Sequence, residues 1–408
     1  MRVRLKRLRP FIIGITGSVG KTSTKEAIAC ILKTRYGVLS NKKSYNTDFG
    51  LPLTVLEQDS GFSSPLKWVS ILFRSFGKAF FGTRKYQMLL LEMGVDKPGD
   101  MDLLLKLVQP QVGVLTAIQP VHLAPGQFKD LDDIFLEKAK LLQALSEKGT
   151  AIFNIDDPYL MPLREQLFCK KITYGFSPQA DLIASAVQTT AQGLQFNVQF
   201  KGESASGIAP LAGEVHMYIL LAALATALGQ GFSLAEAVQA LQHFRLPPGR
   251  MSLLPGICDS TLLDSSYNAS PASVKEALNI LQEFPHGRRI AVLGNMNELG
   301  GDAEMYHREI GRFVLHKTDV LITVGEQAKW IMEEALQQGF LRDRVQHFAD
   351  ALEAAHALAG ILKKGDIILV KGSQNQVRLE RLVERIMREP EKASELLVRQ
   401  EKEWKQVR

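Results

Sequence analysis

The 408 residues are 46% hydrophobic and 23% charged with no low-complexity tract, which excludes a disordered or fibrous chain and allows two or three globular domains. A net charge of +6 suits an enzyme of polyanionic substrates and is too weak for a nucleic-acid binder. Cys30, Cys169 and Cys258 lie too far apart for a disulfide framework or a metal-ligand pair, which favours a reducing cytoplasm, and no stretch is apolar and long enough to span a bilayer.

The basic start, Met1–Pro10, leads into the short apolar run Phe11–Ile15, which reads as a buried strand rather than a signal segment. A glycine loop and a helix from about Lys21 follow. Ser64–Lys85 reads as a helix in which Trp68, Ile71, Leu72, Phe73, Phe76, Phe80 and Phe81 alternate with Lys67, Arg74, Lys78, Arg84 and Lys85. Two readings stand for it: packing on the domain core, or an interfacial anchor on an anionic membrane. Strands are predicted at Tyr86–Glu92, Gln111–Ile118 and Thr150–Asn154, with a helix over Asp130–Ser146. Continuous apolar strands separated by helices predict a mostly parallel sheet covered on both faces.

Leu182–Val187 and Leu194–Phe200 alternate around Gly193, and Val215–Leu228 and Leu234–Phe244 read as helices. The Pro/Gly-rich stretch Phe244–Arg250 predicts a boundary between a domain at 1–246, with an insertion near 61–86, and a smaller Rossmann-like α/β domain at 247–408. Its strands are expected at Thr261–Asp264, Arg289–Leu293, Val320–Val324 and Asp366–Val370. Its helices are expected at Pro271–Phe284, Ala303–His316, Ala328–Gln337 and Ala351–Leu362. The charged tail Arg378–Val407 reads as a solvated or docking helix.

Thr16–Thr22 (T-G-S-V-G-K-T) ends a strand and starts a helix. Gly17 and Gly20 let backbone N–H groups turn toward an anion, and the helix N-terminus adds its positive dipole end. Thr16, Gly17, Ser18, Val19, Gly20, Lys21, Thr22 and Ser23 form a candidate nucleotide cradle, with Lys21 on the β/γ-phosphates and the Thr22 hydroxyl on Mg²⁺. The strict G-x-x-x-x-G-K-[ST] spacing is not met, because residue 15 is Ile.

This loop form resembles that of the Mur ligase superfamily. Further motifs are similar in the same order: Ser44–Thr54 to Y-N-N-E-x-G-x-P-L-T, Leu91–Gly94 to E-M-G, and Asp264–Pro271 to D-D-S-Y-N-A-N-P. Leu293–Gly300 with His307 is similar to L-G-D-M-x-E-L-G…H, and Lys371–Ser373 to K-G-S. The resemblance runs from about Phe11 to about Arg385 and is greatest to the branch that adds D-alanyl-D-alanine to UDP-N-acetylmuramoyl-tripeptide.

The resemblance implies an ATP- and Mg²⁺-dependent carboxylate–amine ligase that works through an acyl phosphate in peptidoglycan precursor synthesis. Lys21, Glu92, His122 and Lys140 are then the catalytic set, and Thr22, Glu92, His122 and Lys140 the metal set, with Lys140 carried as an N6-carboxylysine. Lys138, two positions away on the same helix, competes for that role, since both cannot face the site. The resemblance also implies nucleotide contacts from Asn154, Arg250 and Asp264, and substrate contacts from Asn46, Thr47, Lys371 and Ser373.

Some positions depart from the family pattern. Val215-His216 opens a helix where H-N-x-x-N is usual, and Ser265, Asn295 and Gln374 replace Asp, Asp and Arg. Only about fifteen residues precede the phosphate loop, so the chain is expected to lack the N-terminal UDP-binding domain, which a partner could supply. Two further functions are carried: a ligase acting on a different, non-UDP carboxylate, and a nucleotide-binding scaffold or regulatory protein.

Overall fold

The structure is a computed structural model. It describes residues 1–42, 45–61, 64–83, 85–124, 126–374, 376–401 and 404, and nothing of the Pro65 side chain. Among the expectations above, those on Ser44, Arg84, 402–403 and 405–408 lie outside the described residues. The chain forms two compact units, one of 1–186, 196–207 and 217–244, the other of 187–195, 208–216 and 245–408.

Nine strands make the first sheet: β1 (Phe11–Thr16), β2 (Val38–Ser40), β3 (Met88–Glu92), β4 (Val112–Leu115), β5 (Thr150–Asn154), β6 (Lys170–Gly175), β7 (Leu182–Thr190), β8 (Gly193–Phe200) and β9 (Glu203–Ala209). Their order is β2-β3-β1-β4-β5-β6-β7-β8-β9. The pairs from β2 through β7 are parallel. β3 and β4 are buried along their whole length, which explains their unbroken apolar sequence. The helix Met217–Gly229 is apolar all round and almost entirely buried. Parallel pairing sets the carboxyl ends of β1, β3, β4 and β5 on one edge, with Ile15 beside Glu92 and Thr16 beside Leu115. Open α/β sheets bind ligands at that edge.

The second unit holds β10 (Ser252–Pro255), β11 (Thr261–Ser265), β12 (Arg289–Gly294), β13 (Val320–Val324), β14 (Val345–Phe348) and β15 (Ile367–Lys371) in the order β10-β11-β15-β12-β13-β14. Only the β10–β11 pair is antiparallel. Both units are therefore α/β, with largely parallel sheets.

Two expectations are corrected. The tail is not one solvated helix. It breaks into Glu380–Ile386 and Ala393–Leu396, and Leu382, Val383, Ile386, Met387 and Leu397 join the core of the second unit. Glu380 is buried between Arg378 (2.6 Å) and Arg399 (2.9 Å), so part of the charge belongs to an interior ion triad. In the first unit, the helix Pro65–Phe80 does not bury its aromatic side in the core. Leu66 is 83%, Phe73 77% and Phe76 63% exposed, while Ala79 is buried.

Candidate nucleotide and metal site

The phosphate loop leaves β1 with Gly17 at φ 146° and Gly20 at φ 78°. A Cβ on Gly17 would sit 2.0 Å from Thr116 Oγ1, so the cradle is closed to any side chain. The loop is pinned from β4 and the residues after it. Ser18 N–H donates to Ala117 O (2.8 Å), the Ser18 hydroxyl to Gln119 O (3.0 Å), and the Thr116 hydroxyl to Val19 O (2.6 Å). Thr16 Oγ1 donates to Met93 O (2.8 Å), and Ser23 is buried in the first turn of the helix Lys21–Leu32. The Lys21 ammonium lies over the loop, donating to the carbonyls of Gly17 (2.7 Å) and Ser18 (3.0 Å).

Glu92, 6% exposed, ends β3 beside this loop. Its carboxylate accepts from the Thr22 hydroxyl (2.9 Å) and from Asn46 Nδ2 (3.1 Å). Asn46 is held in turn, since Gly94 N–H donates to its carbonyl (2.8 Å). Thr47 is exposed, and its carbonyl accepts from Leu51 N–H (3.0 Å) at the start of the next helix.

Two residues that the sequence reading did not single out fix Glu92 from behind. Asn41, 1% exposed, exchanges hydrogen bonds with the Glu92 backbone, accepting from its N–H (2.9 Å) and donating to its carbonyl (3.0 Å). Lys25, also 1% exposed, donates to Asn41 O (2.5 Å) and lies 3.9 Å from the Glu92 carboxylate. A signal for Lys25 exists in the sequence. It falls on the same helical stripe as the buried Ile28 and Leu32.

His122 follows β4 with φ 57°, and its Nε2 lies 3.5 Å from Asp96, a third residue missed from sequence. Lys138 is 1% exposed on the helix Leu131–Gln143. Burial, and then the positive charge of Lys21, lower its pKa to about 7, with Asp96 and Glu137 acting the other way.

Lys140 is different. Its ammonium is held by Asp102 (2.7 Å) and Glu137 (2.7 Å), and its side chain is 32% exposed. The two lysines differ in setting: Lys138 is a buried amine near the positive charge of Lys21, and Lys140 lies in an ion pair. The reason is helical phase. Ile134, Lys138 and Leu141 share the buried face, and Lys140 falls off it.

Asn154 ends β5, and its Oδ1 accepts from Asp156 N–H (3.0 Å). Asp156 binds Ser177 N–H (3.0 Å) and the Tyr218 hydroxyl (3.0 Å), and Asp157 binds Ile118 N–H (2.7 Å). These acids thus hold loops at the strand ends.

In the second unit Arg250 is exposed and stacks over Tyr267 at 4.7 Å. Asp264 is fully buried at the end of β11. Its Oδ1 accepts from Ser266 N–H (3.0 Å), while Oδ2 has no hydrogen-bond partner among the described residues. Burial raises its pKa to about 6. Lys371 ends β15 and donates to Ser265 Oγ (3.1 Å) and Asn268 O (3.0 Å); burial lowers its pKa to about 8. Ser373 donates to Ala269 O (3.1 Å) and accepts from Asn297 N–H (2.9 Å). His307 receives Met296 N–H (3.0 Å), which fixes the loop after β12.

Among the described residues no three His, Cys, Asp or Glu side chains converge on one point. The hydroxyl and carboxylate of Thr22 and Glu92 are hard oxygen donors in mutual contact, which fits a Mg²⁺ ion that keeps water and phosphate in its remaining positions. The closed glycine cradle fits a polyphosphate.

A phosphate-cradling loop on a parallel sheet, with a buried acid beside it and a second α/β unit, defines a nucleotide-dependent α/β protein. The family model of the Mur ligase middle domain matches residues 15–227, and that of the Mur ligase glutamate ligase domain matches residues 249–374. The chain belongs to the Mur ligase family. It is 29% identical over 388 residues to the UDP-N-acetylmuramoyl-tripeptide–D-alanyl-D-alanine ligase of Bacillus subtilis, covering 95% of this chain and 78% of that protein. MurF from Acinetobacter baumannii superposes with a TM-score of 0.74 at 26% identity, covering 93% of this chain and 77% of that one. The MurF ligase of Thermotoga maritima, solved in complex with ADP, gives 0.73 at 25% identity, with 96% and 82% covered.

Proposed function

We propose that this protein is an ATP-dependent ligase of peptidoglycan precursor synthesis that joins D-alanyl-D-alanine to a UDP-N-acetylmuramoyl-tripeptide. The observation that carries this reading is the Thr22–Glu92 hydrogen bond beside the phosphate loop, a ready pair of oxygen donors at the mouth of a glycine cradle. Bound ATP supplies the phosphoryl group that activates the substrate carboxylate as an acyl phosphate, and Mg²⁺ offsets the charge of the phosphates.

The chain's own residues do the positioning. Thr22 and Glu92, with His122, would hold magnesium, and Asn41 and Asn46 orient Glu92. Lys21 would exchange the loop carbonyls for the nucleotide phosphates. We assign the carboxylated lysine to Lys138 in place of Lys140. Its neutral amine adds to CO₂ and releases a proton, so a buried cation becomes an anionic oxygen donor. Arg250, Asp264, Lys371 and Ser373 are proposed contacts for nucleotide and amine substrate.

The test is ADP release with each substrate omitted in turn. Release that needs both the UDP-muramoyl-tripeptide and the dipeptide supports the reading. Release with another carboxylate alone redirects it to the non-UDP ligase.

We further propose that a partner supplies recognition of the uridine diphosphate. For residues 1–408 alone, equal KM for the muramoyl-tripeptide with and without UDP is then expected, and a much lower KM with UDP refutes it. The proposed place of work is the cytoplasmic face of a membrane, with 64–85 as a peripheral contact. The exposed apolar stripe on Pro65–Phe80 supports it, and no described helix is long and apolar enough to cross a bilayer.

A further inference from the structure

The helix Pro65–Phe80 carries Leu66, Val69, Leu72, Phe73, Phe76 and Phe80 exposed. At 3.6 residues per turn they fall within an arc of about 120°. Lys67, Arg74 and Lys78 lie together on another face, and 64–85 contains no Asp or Glu. A solubilising surface helix mixes both signs, whereas an interfacial helix pairs an apolar face with a cationic one.

The short helix Arg2–Leu8 packs against its end. Arg7 donates to Ala79 O (3.3 Å) and to Gly82 O. It too lacks acids, and Arg2, Lys6 and Arg9 are exposed. Those three, with Lys106, line a cleft of about 910 Å³ that has no carboxylate in its wall. One small element is therefore tied to an apolar stripe and also borders a cationic cleft.

Resting on the reading of 64–85 as a membrane contact, we propose that the helix Arg2–Leu8 completes this surface and makes it selective for anionic lipid. Its cations and the cleft take phosphate headgroups, while the Leu66–Phe80 stripe enters the bilayer interface. The occupant is a lipid surface, since a soluble anion accounts for the cations and leaves the apolar stripe unexplained.

Flotation of the full chain with phosphatidylcholine vesicles, with and without phosphatidylglycerol, tests this. Wild type should bind the anionic vesicles more tightly, and more weakly as salt rises. Arg2→Gln/Lys6→Gln should lower anionic-vesicle affinity by about 30-fold, roughly fivefold per cation, and leave neutral-vesicle binding unchanged. Phe73→Asp/Phe76→Asp should lose both. Inorganic phosphate at matched ionic strength should not displace the protein, and displacement would overturn the lipid assignment. Unchanged affinity of the Arg2/Lys6 variant overturns the inference but leaves the membrane contact standing. No wild-type binding to either vesicle defeats the membrane reading itself. Circular dichroism and ADP release confirm that each variant is folded.

Discussion

Replacing Lys138 by alanine removes a buried amine whose reactivity the fold sets. At pH 7.4 an amine of pKa about 7 is roughly 70% neutral, against roughly 0.1% for an ordinary lysine. Burial and Lys21 thus enrich the CO₂-reactive form by roughly two to three orders of magnitude. Lys138→Ala should lower kcat by about 10²- to 10³-fold, the usual cost of losing a buried electrostatic group at a reacting centre. Short-chain carboxylates should restore part of it by filling the vacated space with an anionic oxygen. Depleting CO₂ and bicarbonate should slow the wild type and leave the variant unaffected. Lys140→Ala breaks an exposed pair with Asp102 and leaves the buried Glu137 carboxylate without its cation, so it should cost about 1–3 kcal/mol of stability and change kcat by less than about threefold. The measurement is steady-state ADP release for both variants, with and without added carboxylate. Loss in Lys140→Ala with rescue there, and full activity in Lys138→Ala, would refute the assignment.

Other outcomes follow from the same geometry. Gly17→Ala forces a Cβ against Thr116 at a φ that L-residues avoid. It should destabilise the apo protein by about 1–3 kcal/mol in thermal melts and abolish ATP binding by calorimetry. Glu380→Ala leaves two buried guanidinium groups without their acid and should cost about 3–5 kcal/mol in urea unfolding, whereas a solvated tail would lose almost nothing. Asp264 has a folded pKa raised to about 6, so the native state binds more protons than the unfolded one between about pH 4 and 6. Its contribution is present below that window and lost as pH rises through it, by up to about 3 kcal/mol. Asp264→Asn should flatten this part of the stability–pH curve, and an unchanged slope would contradict the account.

Much of the architecture was legible because buried parallel strands are continuous apolar runs. β1, β3 and β5 announce themselves this way, and Gly17 to Thr22 mark the loop between strand and helix. The strands that escaped notice are short or polar: Val38–Ser40, Lys170–Gly175, Glu203–Ala209, Ser252–Pro255 and Val345–Phe348 owe their state to a neighbour already in the sheet. The tail was misread because Arg378, Glu380 and Arg399 look like solvent charges in sequence, whereas their burial depends on mutual pairing. Within the site, Glu92 stood out as a charge ending an apolar strand. Asn41 did not, because what distinguishes it is contact with Glu92 from a distant segment, and Lys25 showed only its place on the buried Ile28–Leu32 stripe. The burial of Lys138 was readable from its place on the Ile134–Leu141 stripe, while motif similarity points to Lys140, so the two signals select different lysines.

The most direct test of the central claim is mass spectrometry of the product formed from ATP, UDP-N-acetylmuramoyl-tripeptide and D-alanyl-D-alanine. The account predicts a new amide carrying both D-alanines, formed one-for-one with ADP and phosphate, and lost in Glu92→Gln. Tight ATP binding with no amide from these substrates would contradict it.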